Sequence, residues 1–197
     1  MNETFIRHSV GDQAWDEAVR ILSGRTMPQA VINAGLSMAE QVALYTWTLD
    51  TSKGPWFTRI NRVLRMGETD SAEFEAVWPL VAAIKSALGK LPPFEGMVYR
   101  AIKESGMTAQ QLAWFKDAYQ PGQLVAIEGF AGTSKDQLQM LRGRFKLVVN
   151  SKTGRDISAF SAKADQDEVL IAHGAVISVT QVQRSKQGAT WIWADEI

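Results

Sequence analysis

The spacing of apolar residues changes character once along the chain. Up to about residue 90 it is helical; beyond that it falls into short β-like runs. Trp15, Val19 and Leu22 lie near one face of 12–22, a short helix ended by Ser23-Gly24. Met27-Pro28 opens a longer helical region. Within it, Ser37 followed by Glu40 has the form of a capping box, which predicts a break at 35–37. The helix after the break should bury Val42, Leu44, Tyr45 and Leu49. Residues 52–55 read as a turn. Residues 56–66 read as a helix with Ile60, Val63 and Leu64 apolar and Arg59, Arg62 and Arg65 on a solvated face, stopped by Gly67. Asp70 or Ser71 caps the next helix, which runs to about Leu88. Pro79 in its middle predicts a kink or a split. Residues 89–96 read as a linker.

After the linker the pattern predicts a strand at 97–102 and a helix at 108–119, capped by Thr108 with Gln111 at the box position. Strands follow at 124–127 and 145–149, with a glycine- and hydroxyl-rich loop at 129–135 between them and a basic stretch containing Arg142, Arg144 and Lys146. Residues 152–155 read as a turn. A polar loop then feeds a strand at 168–172, a turn at His173-Gly174 and a second strand at 175–183. The closing strand, 189–194, alternates Trp191 and Trp193 around Ile192, which predicts a buried aromatic face. The expected fold class is α+β in one domain: a helical lobe (1–90) packed on two small, mostly antiparallel sheets (95–197) that form a cleft.

Composition narrows the field. Apolar residues make up 46% and charged residues 21%, a globular profile, and the formal net charge is zero, which argues against general nucleic-acid binding. There is no cysteine, so disulfides, thiolate nucleophiles and cysteine metal sites are excluded. His8 and His173 stand alone, without a ligand pattern. The first residues lack an apolar signal core and no run is long enough for a membrane span. The expected setting is the cytoplasm, or a host cell into which the protein is delivered without a cleaved signal.

Candidate chemistry gathers in the second half. Arg100 sits inside an apolar strand, a costly place for a cation unless it is paired or faces a cleft. Thr133-Ser134 offers hydroxyls in the small-residue loop, and Gly154 allows a tight strand connection. Gln166 and Glu168, two apart, point to one side of an extended segment. An arginine that grips phosphate and a carboxylate that steadies positive charge suit cleavage of a glycosidic bond beside a diphosphate.

These residues fall in blocks. They are Leu36-Ser37 with Glu40, Ala43-Leu44-Tyr45-Thr46, Ile60-Asn61 with Leu64-Arg65, Val98-Tyr99-Arg100, Phe130-Ala131-Gly132-Thr133-Ser134, Gly154 to Ser158, and Gln166-Asp167-Glu168-Val169-Leu170. In order and spacing they resemble the mono-ADP-ribosyltransferases of the arginine–serine–glutamate class, which include bacterial toxins, phage enzymes and vertebrate ecto-enzymes. The resemblance covers about 35–182. It implies transfer of ADP-ribose from NAD to a side chain of a target protein, with nicotinamide released and no metal required. Arg100 would contact the NAD phosphates, Tyr99 or Arg100 backbone the nicotinamide amide, and Thr133 and Ser134 would brace the site. Tyr45 would border the NAD cleft. Glu168 would be the catalytic glutamate, holding the ribose 2′-hydroxyl and stabilising an oxocarbenium-like ribose.

Two departures stand out. Gly132 replaces the first serine of the serine-threonine-serine block. Gln166 stands where arginine-modifying members carry glutamate; an amide can orient another amide, so it leans towards an Asn or Gln acceptor. Asp165 and Asp167 weaken that inference, since either could supply an anion. Phe160 is either an exposed aromatic of the recognition loop or core. The competing readings are an NAD glycohydrolase and a non-enzymatic module that binds NAD or a protein.

Overall fold

The computed structural model describes residues 3–52, 54–66, 71–140, 143–163 and 167–197. These form an α+β structure of two compact units. The first comprises Met1–Pro92, Glu128–Phe130 and Arg155–Gln166, and the second Pro93–Ile127, Ala131–Gly154 and Asp167–Ile197.

The first unit is helical: α1 (Glu3–Val10), α2 (Asp12–Ser23), α3 (Gln29–Ala34), α4 (Met38–Trp47), α5 (Trp56–Met66) and α6 (Ala72–Lys90), with a small hairpin of β1 (Asp50–Thr51) and β2 (Gly54–Pro55). The predicted break lies between α3 and α4. Gly35 takes the left-handed conformation (φ 61°) that ends a helix, and Ser37 with Glu40 forms both bonds of the capping box. Helix α4 is buried on nearly all sides, from Ala39 to Trp47, and ends before Leu49. Helix α1 has no counterpart in the sequence reading; only Ile6 on it is buried, too little for a periodic signal. Ser71 is the cap of α6, while Gly67 and Asp70 lie outside the described residues.

Two expectations for this unit are corrected. Of the kink or split expected at Pro79, the split does not occur: α6 is one helix from Ala72 to Lys90. A mid-helix proline costs about 3 kcal/mol, and the full burial of Val77, Leu80, Val81, Ala83 and Ile84 around it offsets that cost. The linker also shrinks to Leu91-Pro92, because α6 continues to Lys90 and the first long strand starts at Pro93.

The second unit holds β3 (Pro93–Ile102), α7 (Ala109–Ala118), β4 (Leu124–Ala126), β5 (Ala131–Ser134), β6 (Phe145–Asp156, leaving the unit after Gly154), β7 (Glu168–Ile171), β8 (Val176–Arg184) and β9 (Thr190–Glu196). The strand order is β3-β5-β7-β6-β9-β8-β4. The pairs β3–β5, β5–β7, β8–β9 and β4–β8 are antiparallel, and β6–β9 is parallel. Val98, Phe115, Phe145, Leu147, Val149, Val169, Ile171 and Ile192 build the core. Thr108 and Gln111 complete the expected capping box of α7.

Here too the structure departs from expectation. The segment 129–135 is not a loop: Ala131–Ser134 is a strand held by β3 and β7 on its two sides. Small residues have little strand preference of their own, so pairing imposes the conformation. The turn expected at 152–155 is part of β6. The strands β7 and β8 are consecutive in sequence but not neighbours in the sheet. On β9 the buried residues are Ile192, Ala194 and Glu196. Trp191 and Trp193 stack on each other (centroids 6.0 Å apart) on the half-exposed face.

Candidate active site

Three adjacent strands set three of the candidate residues side by side. Tyr99 of β3 pairs with Ser134 of β5, and Ser134 pairs with Glu168 of β7. Directly opposed residues share a face, with Cβ atoms about 4.5–5.5 Å apart. A phenol, a hydroxyl and a carboxylate therefore form one row, each half-buried. Arg100 follows Tyr99 and starts on the opposite face of β3. Its Nη1 donates to the Gly132 carbonyl at 3.1 Å. That bond uses backbone, so it is indifferent to the hydroxyl missing at position 132.

The hydroxyls are not equivalent. Thr133 is buried, and its Oγ1 donates to the Val169 carbonyl at 2.7 Å, bracing β7 directly behind Glu168. Ser134 Oγ accepts from the Asp136 amide (3.0 Å) and donates to Gln139 Oε1 (3.2 Å). On the other flank of β7, Gly154 is a close-approach position. A Cβ there would come within 2.7 Å of both Ser151 Oγ and Val169 Cγ1. The same stretch of β6 is tied by Glu196, a buried carboxylate that accepts from Ser151 Oγ (2.9 Å), the Lys152 and Thr153 amides (2.7 and 2.8 Å) and the Thr153 hydroxyl. Burial pushes the Glu196 carboxyl up, but these donors outweigh it and hold the group below its ordinary value.

A family model described as NAD:arginine ADP-ribosyltransferase matches residues 1–195. The chain belongs to the ADP-ribosyltransferase family. It is 31% identical over 126 residues to Mav of Mycobacterium avium (strain 104), named as a candidate NAD(+)–arginine ADP-ribosyltransferase; the match covers 62% of this chain and 14% of that relative's length. Among solved structures, the type III effector XopAI from Xanthomonas axonopodis pv. citri superposes with a TM-score of 0.70 at 22% identity, covering 94% of this chain and 74% of that one. The ADP-ribosyltransferase HopU1 of Pseudomonas syringae pv. Tomato DC3000 gives 0.70 at 16% identity, covering 95% and 98%. At such identities the structures speak for the fold.

In the helical unit, residues of the blocks named from the sequence make specific contacts. Asn61 is buried; its Nδ2 donates to the Phe130 carbonyl (2.9 Å) and its Oδ1 accepts from the Phe130 amide (2.7 Å). Arg65 Nε adds a bond to the Glu128 carbonyl at 3.3 Å. Together they hold the segment that leads into β5. Arg59 and Arg62 pair with Glu73 on the surface. Tyr45 is buried, with the Arg25 guanidinium 5.7 Å from its ring centroid. Phe160 is fully buried and is therefore core, not an exposed recognition aromatic. The segment around it is tied down by Arg25 to the Ala159 carbonyl and by the Ala162 amide to Thr48 Oγ1, both 2.8 Å.

Gln166, Asp165 and Arg142 lie outside the described residues. Arg144 is paired with Glu104, and Asp167 with Lys135 at 3.4 Å. Arg144 and Phe145 line a cavity of about 180 Å³ with Phe115, Tyr119 and Arg184, which shares no residue with the Tyr99–Ser134–Glu168 row. Among the described residues no group of three or more His, Cys, Asp or Glu could hold a metal ion, and no helix is long and apolar enough to cross a membrane. The sequence reading passed over Gln139, Glu196 and the roles of Asn61 and Ser151. Buried partners and distant pairings leave no local pattern, although Asn61 did fall in a matched block.

Proposed function

We propose that the chain transfers ADP-ribose from NAD to a side chain of a target protein and releases nicotinamide. The observation that carries this is the cross-strand row of Tyr99, Ser134 and Glu168, with Arg100 next along β3, within a chain of the ADP-ribosyltransferase family. Arg100 serves the NAD phosphates, for which a planar guanidinium is suited. Glu168 holds the ribose 2′-hydroxyl and stabilises positive charge as the bond to nicotinamide loosens. That is electrostatic stabilisation by a pre-positioned group. Thr133 supports it by fixing the strand behind.

Arginine is the acceptor named for the family and for the Mycobacterium relative. Gln166 favours an amide instead, because a carboxamide both donates to and accepts from another carboxamide. Action inside a host cell belongs to the same proposal; its support is that XopAI is a type III effector.

The test is incubation of wild type and Glu168→Gln with labelled NAD and a cell lysate. Nicotinamide release should fall by about 100-fold or more in the variant, with an unchanged circular dichroism spectrum. Equal rates in the two proteins overturn the proposal. Label that stays off protein while nicotinamide is released identifies a glycohydrolase. Mass spectrometry of labelled protein separates an arginine from an asparagine or glutamine acceptor.

A further inference from the structure

The start of β7 is held by more than the sheet. The Lys135 amide donates to the Asp167 carbonyl at 2.9 Å, one step beyond the Ser134–Glu168 pair. The Asp167 amide is then taken by a side chain: it donates to Gln139 Oε1 at 3.1 Å. The same oxygen accepts from Ser134 Oγ at 3.2 Å. Gln139 ends a short 3₁₀ turn, Gln137–Gln139, capped by Asp136, whose Oδ1 accepts from the Leu138 amide at 2.8 Å.

One carboxamide oxygen thus closes the loop after β5 onto the residue before Glu168. It also orients the hydroxyl that faces Glu168 across the sheet. With its N–H on Gln139 and its C=O on Lys135, Asp167 has both peptide planes fixed, and the second of those planes leads into Glu168. We infer that Gln139 is a positioning residue for Glu168, clasping β7 at its entry. The inference rests on the proposed transferase reading for its catalytic consequence, but the clasp is measurable without activity.

The experiment compares Gln139→Met with Gln139→Glu in the full chain. Both keep the side-chain length and both lose the amide nitrogen; only the glutamate keeps an acceptor oxygen. Hydrogen–deuterium exchange of the peptide carrying the Asp167 amide should be faster in Gln139→Met than in wild type and near wild type in Gln139→Glu. In NAD turnover, Gln139→Met should lower kcat roughly tenfold with KM changed less than about twofold, and Gln139→Glu should recover most of the loss. Equal exchange in the two variants overturns the clasp. Faster exchange in Gln139→Met with unchanged kcat overturns the positioning role. If wild type itself releases no nicotinamide, the transferase reading fails, while the exchange comparison still decides the clasp.

Discussion

Asn61 shows what a single buried amide can contribute. Its side chain pairs with both polar groups of the Phe130 backbone, which have no local partner because the chain there is turning from Gly129 into β5. Gly129 itself has φ 92° and lies against the asparagine; a Cβ there would come 2.6 Å from Asn61 Oδ1. Replacing Asn61 by Ala leaves a buried N–H and a buried C=O unpaired, each costing about 1–3 kcal/mol. We expect Asn61→Ala to lose about 2–4 kcal/mol in urea unfolding, and Asn61→Asp, which keeps the acceptor, to lose less. A loss below about 0.5 kcal/mol for the alanine variant would mean that water reaches Phe130. At this scale chemical type and spacing singled out Arg100, Ser134 and Glu168 as candidates. The sequence was silent on Gln139, whose partners are fixed only when the loop folds back on β7.

Helix α6 is the element in which local preference and packing disagree. Pro79 removes a backbone donor from the middle of a helix whose inner face is fully buried. Since the helix is continuous, Pro79→Ala should restore a hydrogen bond and raise stability by about 1–3 kcal/mol, seen as a higher Tm. A lower Tm would show that α6 is built around the proline. Strand β5 is the opposite case. Its four residues, Ala-Gly-Thr-Ser, look like a loop, and their partners on β3 and β7 make them a strand. Helix termini were more legible than strands, because the capping boxes at Ser37–Glu40 and Thr108–Gln111 are complete within four residues.

Acid stability is a property of the whole molecule, and each unit carries a buried carboxylate that contributes to it. Burial pushes Glu40 up. The Lys90 ammonium (2.8 Å), the Ser86 hydroxyl (2.6 Å) and the Ser37 amide and hydroxyl outweigh that push and hold the carboxyl at about 2, below its usual 4.5. Glu196 is lowered by its own donors. A folded-state value below the unfolded one contributes stability that is fully present above the unfolded pKa and is lost as pH falls through the folded one. Unfolding free energy should therefore be flat above about pH 5 and decline from about pH 4.5 towards pH 2. In Glu40→Gln that decline should be shallower, measured by urea titration at a series of pH values. A variant with the wild-type pH dependence would remove Glu40 from the account.

By itself the amino-acid sequence determined helices α2 to α6 of the first unit and the capping box at Ser37, and it named candidate site residues, because each of these depends on residues a few positions apart. Tertiary structure decided that Ala131–Ser134 is a strand, that β7 and β8 are not neighbours, that Phe160 is core and Trp191 half-exposed, and that Tyr99, Ser134 and Glu168 stand in one row. Those outcomes depend on which strands pair. Pairing is settled by burial and backbone hydrogen bonds between segments far apart in the chain.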